Sequence, residues 1–95
     1  GDMMRVENAE TFALQALAWL ASDEDLLGGF MGMTGLDHDQ LRARAGDGEF
    51  LGAVLDYILS ADTMVLDCAA ALNCPPDQVV AARAALPGGA QVHWT

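Results

Sequence analysis

The chain has 95 residues, enough for one hydrophobic core and too few for a second. Apolar residues make up 53%, which excludes wholesale disorder. Lys and Arg number 4, all of them Arg, against 14 Asp and Glu; the formal charge of -10 repels phosphate and sets aside DNA, RNA and anionic membrane surfaces as direct partners.

Strand signals are nearly absent, because no stretch alternates with period two. Helix signals recur. The first helix is predicted from about Ala9 to Ala21 with Asn8 as its N-cap. Its polar stripe is thin (Thr11, Gln15, Ser22, with Ala18 as a small filler), which predicts burial over most of its circumference. Ser22-Asp23-Glu24-Asp25 reads as a capping box, opening a second helix from about Asp23 to Met33 that stops at Gly35. Asp37 caps a short third helix from about His38 to Ala45, with Gln40 in the box position and Gly46 as the stop.

Asp47 opens a fourth helix from about Gly48 to Leu59, whose polar stripe is Glu49, Asp56 and Ser60. Ser60 or Asp62 caps a fifth helix that reaches about Leu72 and is punctuated by Asn73. Pro75-Pro76-Asp77 starts the sixth, since proline suits a first turn, and Pro87-Gly88-Gly89 ends it. Residues 90–95 are expected to be an extended tail, with Trp94 either docked or loose. The predicted fold is therefore all-α, a compact bundle of about six short helices forming a single domain over 1–95, with 1–7 and 90–95 as tails.

A shift of 38 residues lays 11–45 on 49–83 without a gap. Phe12 falls on Phe50, Leu17 on Leu55, Ser22 on Ser60, Asp39 on Asp77, Gln40 on Gln78 and Ala43 on Ala81. Helix stops (Gly35, Asn73) and third-helix openings (Asp37, Pro75) align as well. Two explanations stand. Either a three-helix unit has been duplicated, with approximate two-fold symmetry, or an Ala- and Leu-rich helical array generates such a register by itself. Under duplication the first and fourth helices pack together, with Phe12, Trp19, Phe50 and Tyr57 near their seam.

Catalytic constellations are missing. Asp37-His38-Asp39 offers three ligand types in a row, but neighbouring side chains diverge by about 100° on a helix and do not converge on one ion. A cap with an acidic first turn accounts for the triplet, and no metal is expected. Cys68 and Cys74 are six apart, neither a redox CxxC nor part of a zinc quartet. They read as free thiols in a reducing cytoplasm, with Cys68 a small buried residue. The Gly-rich run from Gly28 to Gly35 follows no strand, and without Lys it is no phosphate loop. No cofactor is expected. No apolar run approaches about 18 residues, so no membrane span is expected, and the first five residues lack the apolar stretch of a signal peptide.

The odd feature is Leu26-Leu27-Gly28-Gly29-Phe30-Met31-Gly32-Met33, three glycines inside a predicted helix. Each costs about 1 kcal/mol against Ala. Close helix approach on the face shared by Gly28 and Gly32 is one reason for them. An adaptable contact surface built from Phe30, Met31 and Met33 is another. Core packing is the plainer account. If the chain has a binding patch, its candidate residues are Gly28, Phe30, Met31, Gly32 and Met33.

Four segments carry a family resemblance: residues 13–21 (Ala-Leu-Gln-Ala-Leu-Ala-Trp-Leu-Ala), Thr34-Gly35-Leu36-Asp37, Phe50-Leu51 through Leu55-Asp56, and residues 82–88. With them the chain resembles a bacterial family of small, acidic, all-helical proteins that carries only a domain-of-unknown-function label. The resemblance covers most of 9–89. It implies a helical fold and no activity, cofactor or site. The chain departs from the family pattern at the glycines 28, 29 and 32 and at Cys74-Pro75-Pro76. Acyl carrier proteins share the size and acidity, but their Asp-Ser-Leu attachment site is absent.

The expected function is that of a non-enzymatic acidic interaction module, an adaptor or regulator with a protein partner, in its simplest version a homodimer. One alternative is an acidic mimic or sequestering partner of a basic protein, acting through Asp23, Glu24, Asp25, Asp37, Asp39 and Asp47. Another is a small-molecule binder with a pocket between the two halves.

Overall fold

The computed structural model describes residues 5–86, and these form six helices and no strand. In chain order they are α1 (Val6–Ala21), α2 (Glu24–Thr34), α3 (His38–Arg44), α4 (Gly48–Leu59), α5 (Asp62–Ala71) and α6 (Asp77–Ala85). The expectations for residues 87–89, for the tail and for Trp94 lie outside the described residues.

Carboxylates cap three of the helix starts. The Asp23 carboxylate accepts from the Asp25 and Leu26 N–H groups at 2.9 and 3.2 Å and is the cap of α2. Ser22, expected in that role, instead closes α1: its hydroxyl donates to the Trp19 carbonyl at 2.6 Å. A charged acceptor at the positive end of a helix outcompetes a neutral hydroxyl one residue earlier. Ser60 repeats the Ser22 arrangement at the end of α4, donating to the Tyr57 carbonyl at 2.6 Å. The N-cap position of α5 is therefore Ala61, which has no capping side chain, and neither Ser60 nor Asp62 fills that role. The capping box at α3 forms as expected, with Asp37 and Gln40 exchanging bonds of 2.9 Å. Asp47 caps α4 through the Glu49 N–H at 3.0 Å. At the first helix, Asn8 is not a cap: α1 starts at Val6, after Arg5, so residues 6 and 7 are helix and not tail.

The core is organised around α1 and α4, the most closely packed pair. α6 lies against both, α2 packs on α1 and α5 packs on α4. α1 turns Ala9, Phe12, Ala13, Ala16 and Leu20 inward. Three alanines on that face leave room for a neighbouring helix to come close. Burial does not extend round most of α1, since Leu14 is 43% exposed. The thin polar stripe was too literal a guide: alanine needs no partner to sit at a helix surface, so Ala18 and Ala21 face water as readily as Gln15 does. α4 is the more deeply buried helix, enclosing Phe50, Leu51, Gly52, Val54, Leu55 and Ile58 and leaving Glu49, Asp56 and Ser60 outside.

In the 38-residue register the ends of α1 and α4 and the starts of α2 and α5 coincide, but the packing does not. α6 sits against α1 and α4, whereas α3 makes no comparable contact with either and reaches the core through Leu41.

One ion pair ties α6 to α4. Arg83 Nε donates to Asp56 Oδ1 at 2.6 Å and Nη2 donates to Oδ2 at 3.0 Å, with the arginine side chain only 15% exposed. This two-pronged geometry is the strong form of the interaction. Burying a single Leu or Ile fully is still worth more, about 1.5–3 kcal/mol. The pair therefore orients α6, while Val79, Ala82 and Leu86 hold it in the core. Urea unfolding of Asp56→Ala, Arg83→Ala and the double variant is expected to yield a coupling of about 1 kcal/mol. Additive single effects would show that the pair contributes nothing.

Candidate functional site

Among the described residues no polar or charged side chain is buried, and no group of three or more His, Cys, Asp or Glu is placed to hold a metal. Asp37 is occupied in capping α3, His38 is exposed, and Asp39 stands 3.9 Å from Arg42 on the surface. Cys68 is wholly buried and Cys74 half-buried, and both are free thiols. Burial pushes the Cys68 thiol up to about 11, with the neighbouring Cys74 adding to the rise, and burial also raises Cys74. Neither is an activated nucleophile.

The fold leaves open grooves. One of about 600 Å³ runs between α1 and α5 beside Trp19 and Leu72. Another of about 230 Å³ separates α1 from α3, with Leu17, Leu27 and Leu41 at its base and His38 and Arg42 on its lip.

The acidic surface has a local cause. Every one of the six helices carries an acidic residue in its first turn. Three of the helices are also capped by Asp23, Asp37 and Asp47. Negative charge at a helix start is favourable by about 0.3–1 kcal/mol. Much of the charge excess is thus helix-starting chemistry, and it includes all six residues assigned above to an acidic face.

The glycine-rich α2 divides into two faces. Leu27 and Phe30 are buried, with Leu26 and Met31 packed beside them. Phe30 is completely enclosed, its ring 5.9 Å from that of Phe50 and 5.4 Å from that of Tyr57. It belongs to the core and is not available at the surface. Gly28 and Gly32 lie on the opposite, exposed side, where an added Cβ would have no neighbour within 4 Å among the described residues. Met33 is 60% exposed and Met31 half-buried.

Close approach, expected at Gly28 and Gly32, occurs instead at Gly29, where a Cβ would collide with the Tyr57 hydroxyl. Leu27, Phe30, Met31 and Thr34 recur at helical spacing and fix the inward face, which places 28, 29 and 32 alike behind it. The Tyr57 contact itself had no sequence signal.

Residues 6–89 match the family described as protein of unknown function, DUF3572, and the chain belongs to that family. No curated protein and no solved structure matches it.

The glycine geometry separates two substitutions. Gly29→Ala is expected to destabilise by about 1 kcal/mol or more, because overpacking at Tyr57 exceeds the gain in helix propensity. Combined with Tyr57→Phe, which removes the hydroxyl and leaves the ring carbon 3.5 Å away, the same change should become neutral or stabilising. Thermal melts of the four variants measure this, and an unchanged penalty in the Phe background would refute the contact.

Proposed function

We propose that this member of the DUF3572 family is a non-enzymatic interaction module that binds a protein partner through the outward face of α2. The observation that carries the reading is Gly28 and Gly32, both exposed in mid-helix, where an added Cβ would meet nothing within 4 Å among the described residues. Each glycine weakens the helix by about 1 kcal/mol relative to Ala. Core packing, the plainer account, applies to Gly29 and, among the described residues, gives these two no packing reason.

A helix face without side chains admits another backbone closely. Met33 at its edge and Met31 beside it are soft, adaptable contacts. Glu24 and Asp25 at the start of the same helix favour a partner with basic residues around its contact patch and speed the encounter with it. The free thiols suit a reducing compartment such as the cytoplasm.

A second copy of the chain is the simplest partner. Exposed Val6, Leu14, Met33, Leu66 and Val80 favour this version by leaving apolar surface to cover. Two chains of -10 each repel, so a homodimer of this kind must strengthen as salt rises. A basic partner must weaken instead.

The test uses the open space at both positions. Gly28→Ala and Gly32→Ala are each expected to raise stability by about 0.5–1 kcal/mol in chemical denaturation. Gly28→Leu with Gly32→Leu should leave the fold intact and abolish the interaction. Self-association is read by sedimentation equilibrium at low and high salt, and hetero-association by comparing proteins retained by the wild-type chain and by the leucine variant. Association that survives both leucines would overturn the α2 face as the contact surface.

A further inference from the structure

The end of α5 brings the two cysteines of the chain to one place. The Leu72 N–H donates to the Cys68 carbonyl at 2.9 Å, the Asn73 N–H to the Ala70 carbonyl at 3.2 Å, and the Cys74 N–H reaches back to the Ala69 carbonyl at 2.9 Å. Asn73 takes a left-handed conformation, φ 58°. This pair of nested bonds around a left-handed residue is the Schellman ending. A regular companion of that ending is an apolar contact between the residue after the left-handed one and a residue of the last helical turns. Here the first position is Cys74 and the helical ones are Ala69 and Cys68, of which Cys68 is the one that feels the Cys74 thiol.

The end of α2 closes by a simpler bond, from the Gly35 N–H to the Met31 carbonyl at 2.7 Å, but its equivalent positions hold hydrocarbon. Gly35 is left-handed there, φ 75°, and the two positions in the 38-residue register are Phe30, in the core, and Leu36, half-buried against it. The second half has thiols where the first has hydrocarbon. Cys68 and Cys74 also join the same apolar cluster.

We propose that Cys68 and Cys74 form a paired dithiol that closes into an intramolecular disulfide under a peroxide oxidant, a reversible modification site at the turn between α5 and α6. Cys74, the less buried, reacts first: its sulfur attacks the peroxide O–O bond, becomes a sulfenic acid and releases water. The Cys68 sulfur then attacks the Cys74 sulfur and displaces a second water. Two thiols and one hydrogen peroxide give one disulfide and two waters. Burial holds both groups in the thiol form, so the resting state is the dithiol and closure is slow. The bridge would tie the last turns of α5 to the segment leading into α6, the helix that packs on both α1 and α4.

The experiment is peroxide treatment of the whole folded chain, followed by intact mass and non-reducing electrophoresis. The expected product is a monomer lighter by two hydrogens and restored by a thiol reductant. Cys68→Ser should stop instead at an oxygen adduct or an intermolecular disulfide through Cys74, and Cys74→Ser should leave Cys68 unreacted. Phenylarsine oxide, which bridges two thiols with loss of water, provides a measurement on the wild-type chain that does not depend on the variants folding. One arsenical bound per chain is expected, released by a dithiol competitor. Oxygen adducts or disulfide dimers as the main wild-type product, thiols that survive peroxide in the folded chain but react when it is unfolded, or failure to take up the arsenical would each overturn the pairing.

Discussion

The bundle depends on the contact between α1 and α4. One helix offers a mostly small inward face, Ala9, Ala13 and Ala16 between Phe12 and Leu20, and the other a large one, Leu51, Val54, Leu55 and Ile58 with Phe50. Small against large lets the helices come close without a void, and dense packing is what makes an apolar core stabilising. The remaining helices depend on that pair. α6 lies against both members, α5 packs mainly on α4 and less on α1, α2 packs on α1 and reaches α4 through Phe30, and α3 contributes little beyond Leu41. A domain of this size has no second core to fall back on. Substitutions at the alanines of α1 therefore act on the whole fold, whereas substitutions on α3 act locally.

The 38-residue register recurs in the backbone more faithfully than in the side chains. Left-handed residues stand at 35 and 73, and serine hydroxyls at 22 and 60 bond three residues back in the same way. These are features of helix ends, which short-range chemistry determines. Packing depends on everything else, and there the halves part: α6 is clamped to α4 by Arg83 and Asp56, while the equivalent approach of α3 to α1 remains an open groove. Glycine enters α2 and not α5, and cysteine replaces Phe30 and Leu36 in the second half. Whatever the origin of the register, the halves are not interchangeable.

Those same distinctions explain how much could be read from residues alone. Five of the six helix starts fell within two residues of their predicted positions, because Asp, Pro and Gly act through local bonds and fixed dihedrals. The errors came where two local signals competed, as Ser22 and Asp23 did, or where a helix began without any capping side chain, as at Val6 and Asp62. The candidate patch on α2 was legible as a composition anomaly but not as a geometry. Its glycines look alike in sequence, and only the position of Tyr57 makes Gly29 a packing residue and leaves Gly28 and Gly32 free of one. Phe30 was drawn toward the patch because aromatic residues serve cores and interfaces equally. Three dimensions assign it to the core.

Charge is the property most easily mistaken for function here. A chain of -10 invites a search for a basic partner. Yet acids occupy the first turns and caps of the helices, where each has a stabilising role whether or not anything binds. An acidic surface that the fold already requires carries little information about a partner. Glycine in the middle of an exposed helix is the opposite case, since it weakens the element that contains it. A residue that the fold explains says little about what lies outside it, whereas one that acts against the fold points outward. By that criterion Gly28 and Gly32, and not the carboxylates, are the surface residues on which the proposed interaction rests.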